Sequence, residues 1–216
     1  MELHNEYHWV EDLLKHVKFP CHALLVASSP DEIEKTRHYA QEIVDVMDKQ
    51  GLCLSGFDIL DRNSAKCTKE LVNKAEIIIA MGGHVPTQNA FFQEIDLKKH
   101  LQDFNGLWIG SSAGSMNSAT LVYAQPELEG EVIDSTYQRF VPGLGLTDKM
   151  ILPHYSSWKN EVVDGLRLLE DVTYPDSQGH TFYLMEDGSY VLGDTEEKIE
   201  EVVGEHYVLR DGVIVQ

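Results

Sequence analysis

The sequence predicts an α/β fold in three layers, with helices on both faces of a mostly parallel central sheet. Three observations predict it. Short, continuously apolar runs of the buried-strand kind alternate with stretches of helical periodicity through the first half. That alternation joins parallel strands through right-handed crossovers. The chain is also 43% hydrophobic and 25% charged over 216 residues, enough for one sizeable core. No linker, internal repeat or low-complexity run interrupts it, so residues 1–216 read as a single domain.

Trp9, Val10, Leu13, Leu14 and Val17 recur at helical spacing and predict an amphipathic helix over about 5–17. Ala23–Ala27 is the first buried strand. Ser29-Pro30-Asp31-Glu32 reads as a capping box with Pro at the first helical position, opening a helix that stops at Gly51. Phe57–Leu60 and Ala75–Met81 are the second and third strands, a helix over about 87–102 follows, and a fourth strand runs into Ser112. Beyond residue 120, Met150–Leu152 predicts a strand and about 158–171 a helix with Val162, Val163, Leu166 and Leu169 on one face. Thr181–Leu192 predicts a hairpin around Glu186-Asp187-Gly188-Ser189, and Tyr207–Val215 another around Asp211-Gly212.

A net charge of −19 excludes nucleic acid and anionic membrane as partners, because both would repel the chain. No apolar stretch approaches the ~18 residues that span a bilayer, and the acidic N-terminus lacks the regions of a signal peptide. Cys21, Cys53 and Cys67 lie far apart and form no paired motif, so neither a disulfide framework nor a zinc knuckle is expected. A reduced, cytoplasmic setting is the expectation.

Chemistry concentrates at Gly110-Ser111-Ser112-Ala113-Gly114, which follows the apolar strand Leu107-Trp108-Ile109. A sharp strand-to-helix turn exposes its central side chain at a sheet end and demands neighbours without bulk two residues either side. Ser112 is then a presented hydroxyl, with the Ala113 N–H aimed into the same space. A serine nucleophile needs a base, an orienting group and oxyanion donors. Of ten histidines, His4, His8, His16 and His38 fall in N-terminal helices and His100 ends a helix. His154 follows an apolar strand and a Pro, which places it at the sheet rim expected for Ser112.

Four ordered segments resemble peptidase E, the serine peptidase family of aspartyl dipeptidases and cyanophycinases on the class I glutamine amidotransferase-like (flavodoxin-like) fold. They are Ala75–Gly83, Ile109–Gly114, Leu152–Tyr155 and Leu184–Gly188, and the likeness covers roughly residues 5–195. The resemblance implies Ser112 as nucleophile, His154 as general base and Glu186 as the orienting acid, with the N–H groups of Gly83 and Ala113 as oxyanion hole. It implies a short peptide substrate, N-terminal Asp among the options, and neither metal nor organic cofactor. A monomer or homodimer is expected.

Two departures from the family stand out. Met81-Gly82-Gly83-His84-Val85-Pro86-Thr87-Gln88 replaces the family's Gly-Gly-Gly-Asn-Thr loop, with two residues inserted and His84 at the Asn position. The family also begins with a strand before its first helix, whereas Met1–Tyr7 supplies at most a stub at residues 1–4. An acidic substrate needs a cation, and Arg139, Lys159 and Arg167 are the candidates. His84, Tyr155 and Trp158 are candidate pocket residues, and Glu127 and Asp134 are rival orienting acids. Two other functions fit the motif: an esterase of the α/β-hydrolase kind with His206 as base, and a non-catalytic binding protein on the same scaffold.

Overall fold

The computed structural model describes residues 4–194 and 199–216. The expected stub at residues 1–4 therefore lies largely outside the described residues. The chain separates into two compact units, residues 1–117 and 118–216, each taken by itself.

The first unit runs α1 (Trp9–His16), β1 (Cys21–Val26), α2 (Ile33–Lys49), β2 (Leu54–Leu60), α3 (Thr68–Lys74), β3 (Ile77–Ala80), α4 (Val85–Glu94), α5 (Leu97–His100), β4 (Leu107–Gly110) and α6 (Ala113–Asn117). Its four strands are all parallel, in the order β2-β1-β3-β4. Helices flank this sheet, as the alternation predicts.

The continuous apolar runs are explained by burial on both faces. On one face Ala23, Leu25, Ile77 and Ile79 pack with Val10 and Leu13 of α1 and Ala40 and Met47 of α2. The alternate residues Leu24, Val26, Ile78 and Ala80 are equally inaccessible. Each fully buried Leu or Ile contributes about 1.5–3 kcal/mol, so the sheet is a rigid floor for whatever its ends carry. The order reverses direction between β1 and β3. At such a switch point the loops leaving the two strands part, and a crevice opens beyond their carboxyl ends.

Several boundaries differ from expectation, each for a local reason. The first helix begins at Trp9, because the Asn5 side chain accepts from the Val10 N–H (2.9 Å) and ends the preceding turn. The second begins at Ile33: Ser29–Glu32 close a separate turn, with Glu32 N–H donating to Ser29 O at 3.0 Å, so Pro30 lies outside the helix. The helix expected over 87–102 is split at Asp96, which adopts a left-handed conformation (φ 53°).

The second unit runs β5 (Leu121–Tyr123), β6 (Phe140–Pro142), β7 (Met150–Leu152), α7 (Tyr155–Trp158), β8 (Val162–Val163), β9 (Leu166–Arg167), α8 (Tyr174–Asp176), β10 (Thr181–Met185), β11 (Tyr190–Asp194), β12 (Ile199–Val203), β13 (His206–Arg210) and β14 (Val213–Ile214). A mixed sheet has the order β14-β13-β10-β7, with β10 parallel to β7 and antiparallel to β13. The hairpin expected around Asp211-Gly212 joins β13 to β14.

Two expectations fail here. No helix spans 158–171: Val162–Arg167 is instead a hairpin around Asp164-Gly165, whose positive φ values (53° and 79°) are those of the primed turn that an Asp-Gly pair favours. β10 and β11 flank the expected turn but do not pair with each other. β10 pairs with β7 and β13, and β11 with β12. Among the described residues no helix is long and apolar enough to cross a membrane.

Candidate active site

The residues implied as catalytic fall in both units, and each is built up where it stands. In the first unit, β4 ends at Gly110 and α6 starts at Ala113, so the chain turns within two residues. Ser112 carries the strain, with φ at 49°. A left-handed non-glycine residue costs about 1–2 kcal/mol and persists only where its surroundings enforce it. Here the Ser112 carbonyl accepts from Ser115 N–H (2.9 Å), Ser115 Oγ (2.6 Å) and Met116 N–H (3.1 Å).

Both flanking glycines are sterically required. A Cβ on Gly110 would stand 2.6 Å from the Gly114 carbonyl oxygen, and one on Gly114 only 2.3 Å from that of Ala80. The turn therefore packs backbone against backbone and leaves Ser112 half-buried, with Ala113 fully inside.

The loop after β3 passes beside this turn. A Cβ on Gly82 would lie 3.1 Å from Ser112 Cβ. Gly83 has φ 156°, and a Cβ there would meet Ser28 Oγ at 2.4 Å, so only glycine lets the loop lie this close. A buried amide network, which the sequence did not disclose, fixes the loop from behind. Gln88 Nε2 donates to Met81 O (2.7 Å), Asn117 Nδ2 to Gln88 Oε1 (3.1 Å) and to Val85 O (3.2 Å), and Asn89 Nδ2 to Asn117 Oδ1 (2.9 Å). It ties α4 and α6 to the residue preceding Gly82. His84 Nδ1 pairs with Thr87 Oγ1 at 2.8 Å.

In the second unit, His154 follows β7 and Pro153 and is also left-handed (φ 60°, ψ 34°). Its Nδ1 lies 2.5 Å from Asp187 Oδ1, with both side chains about half exposed. The implied acid, Glu186, is elsewhere: its carboxylate accepts from Ser156 N–H (3.1 Å) and Ser156 Oγ (2.6 Å). Adjacent residues leaving β10 turn opposite ways, and the second meets the imidazole. Asp187 was visible in the sequence only as a turn residue.

The rival acid Asp134 accepts from Thr136 N–H (2.8 Å) and Oγ1 (2.7 Å), and these bonds, the backbone one first, hold its carboxyl below the usual range. It closes its own turn. Glu127 lies in the same loop, its N–H donating to Glu131 at 2.8 Å. His206, the alternative base, sits in β13 with Nδ1 2.9 Å from Gly204 O.

The model of peptidase family S51 matches residues 26–200. The chain belongs to peptidase family S51. A crystal structure from Listeria monocytogenes EGD-e, described as a candidate peptidase E protein, is similar in fold. Its TM-score is 0.52 at 18% identity, over 68% of this chain and 74% of that one. No curated protein matches the chain. Membership makes the protein a serine peptidase.

Most of the residues expected to bind substrate in this S51 peptidase have other work. Tyr155 and Trp158 are buried (7% and 8% exposed) and stack edge to face at 5.4 Å, with Trp158 Nε1 donating to Pro153 O at 2.8 Å. Their bulk and burial make them packing residues. Arg139 is committed to Asp176 (2.7 Å), which also accepts from Tyr123 Oη (2.8 Å). Lys159 donates to Ser156 Oγ (3.1 Å) and lies over the Tyr155 ring. Arg167 forms a two-pronged pair with Asp171, whose carboxyl is lowered to about 2 by that arginine.

Proposed function

We propose that this S51 peptidase hydrolyses short peptides by acyl transfer, with Ser112 as nucleophile, His154 as general base and Asp187 as the acid that orients it. The single observation that carries the reading is the left-handed Ser112, held at a strand end by two glycines that no larger residue can replace. Strain of that kind, kept against its cost, marks a residue whose placement matters more than its stability.

The chemistry follows from the groups present. Ser112 Oγ adds to the peptide carbonyl as His154 Nε2 takes its proton. The Asp187 carboxylate at Nδ1 fixes the tautomer and balances the imidazolium. The N–H groups of Gly83 and Ala113 receive the oxyanion. The proton then passes to the leaving amine, and water repeats the sequence in reverse to release the acid. N-terminal Asp is the residue that the likeness to peptidase E suggests assaying first. All three cysteines are free thiols, and we place the enzyme in the cytoplasm.

The test is the rate of fluorophosphonate labelling beside dipeptide turnover. Ser112→Ala and His154→Ala abolish both. Asp187→Asn lowers both by up to about 10⁴, the loss seen when an orienting carboxylate is neutralised, while Glu186→Gln stays within a few-fold of wild type. Undiminished labelling of Ser112→Ala refutes the nucleophile. A silent Asp187→Asn beside a crippled Glu186→Gln returns the orienting role to Glu186.

A further inference from the structure

We infer that Arg62 is a positioning residue for the oxyanion hole, holding together the two elements that flank Gly83. The inference rests on the peptidase reading above, in which the Gly83 N–H receives the oxyanion. Every residue involved belongs to the first unit. β2 ends at Leu60, and the chain is turned at once by Asp61, which is buried. Its carboxylate accepts from Asn63 N–H (2.9 Å) and Ser64 N–H (3.2 Å), an Asp-closed turn that fixes the backbone between them. Arg62 N–H donates to Pro30 O at 3.1 Å. Its guanidinium then reaches in two directions. Nε and Nη2 donate to the two carboxylate oxygens of Asp31 (2.7 and 3.1 Å), and Nη1 donates to Glu94. The guanidinium carbon lies 5.5 Å from the centroid of the buried Phe91 ring, a cation–π arrangement.

These contacts converge on Gly83 from two sides. Asp31 belongs to the loop after β1, which presents Ser28, and a Cβ on Gly83 would collide with the Ser28 side chain. That loop is therefore one wall of the Gly83 backbone. α4 is the other: it starts two residues after Gly83 and carries both Phe91 and Glu94. The buried amides fix the Gly82-Gly83 loop at Met81 and Val85, and Arg62 joins α4 to the wall on which Gly83 leans. A single exposed ion pair holds little in place, but a two-pronged pair extended by a second acid is the exception. The hydrogen bonds from Arg62 hold the Asp31 carboxyl below its usual range. Without the arginine, Asp31 and Glu94 are two like charges that repel, and the Ser28 wall is free to draw away from Gly83. Losing an oxyanion donor outright costs about 10²–10³ in turnover; displacing one costs less, about tenfold.

The test is fluorophosphonate labelling of Ser112, resolved into a maximal rate and a half-saturating probe concentration. Wild type, Arg62→Met and Arg62→Lys are compared well below their melting temperatures. Arg62→Met, which keeps an aliphatic stem over Phe91, lowers the maximal rate about tenfold and leaves the half-saturating concentration within about twofold. Arg62→Lys keeps the charge without the fork and recovers part of the rate. Raising NaCl from about 0.05 to 1 M screens the exposed pairs, slowing wild type but not Arg62→Met. Should Arg62→Met fail to fold, Asp31→Asn and Glu94→Gln replace it, each expected to give a smaller loss of rate. The inference is overturned by an unchanged maximal rate in folded Arg62→Met or in both acid variants. It is also overturned by an effect confined to the half-saturating concentration, or by a salt response that Arg62→Met shares with wild type. A wild-type Ser112 that takes no label sinks the peptidase mechanism and this inference with it. A labelled wild type beside an equally fast Arg62→Met sinks only the role of Arg62.

Discussion

Replacing Gly114 by alanine is the sharpest probe of the nucleophile turn. The new methyl would stand 2.3 Å from the Ala80 carbonyl oxygen and 2.8 Å from both its carbon and its Cβ. Relief to ordinary contact, about 3.4 Å, requires roughly 1 Å of movement between α6 and β3. Neither side can yield by turning a side chain, because the nearest atoms are backbone. Forced overpacking of this kind costs about 1–3 kcal/mol, which for a chain of this size is a fall in Tm of about 2–12 °C. Ser112 is two residues away, and misplacement by 1 Å can cost about a hundredfold in rate. The expected result is a lowered calorimetric Tm together with fluorophosphonate labelling slowed by about that factor, measured well below the transition. A variant that melts and labels like wild type refutes the argument that glycine is sterically required there.

Two further outcomes follow from features away from the reacting atoms. Asn117→Ala removes a side chain that makes three buried hydrogen bonds and takes one partner each from Asn89, Gln88 and the Val85 carbonyl. A loss of about 2–4 kcal/mol in urea unfolding is expected, and a change under about 0.5 kcal/mol would show the network to be slack. Asp58 is held below its ordinary pKa of 3.8 by Lys74 first and His22 second. A depressed folded-state pKa contributes stability that is complete above the unfolded value and lost as pH falls through the folded one. The Tm of wild type therefore drops more steeply between pH 5 and 3 than that of Asp58→Asn, and parallel curves would remove Asp58 from the acid response.

What the sequence disclosed was set by burial and by turn chemistry. Ala23–Val26 and Ile77–Ala80 read as buried strands because both their faces are covered, so no polar residue breaks the run. The serine turn was legible because its glycines are imposed by backbone contact. Val162, Val163 and Leu166 misled because their spacing fits a helix as well as a hairpin and the Asp164-Gly165 turn decides between them, whereas Leu169 does lie in a short helical segment, Leu168–Thr173. Asp187 could not be told from Glu186, because two adjacent carboxylates after a strand differ only in which way they turn. The amides of Gln88, Asn89 and Asn117 carry no signal until the fold buries them.

Because those amides grip the chain at Met81 and Val85, the span between them inherits a fixed path, and since close contact holds Gly83 to glycine, His84 is the position whose side chain is left to vary. The side chain at position 84 can thus change without dislodging the backbone on either side. Evolution, or an engineer, is free to repaint that one position for a new guest while its scaffold stays put.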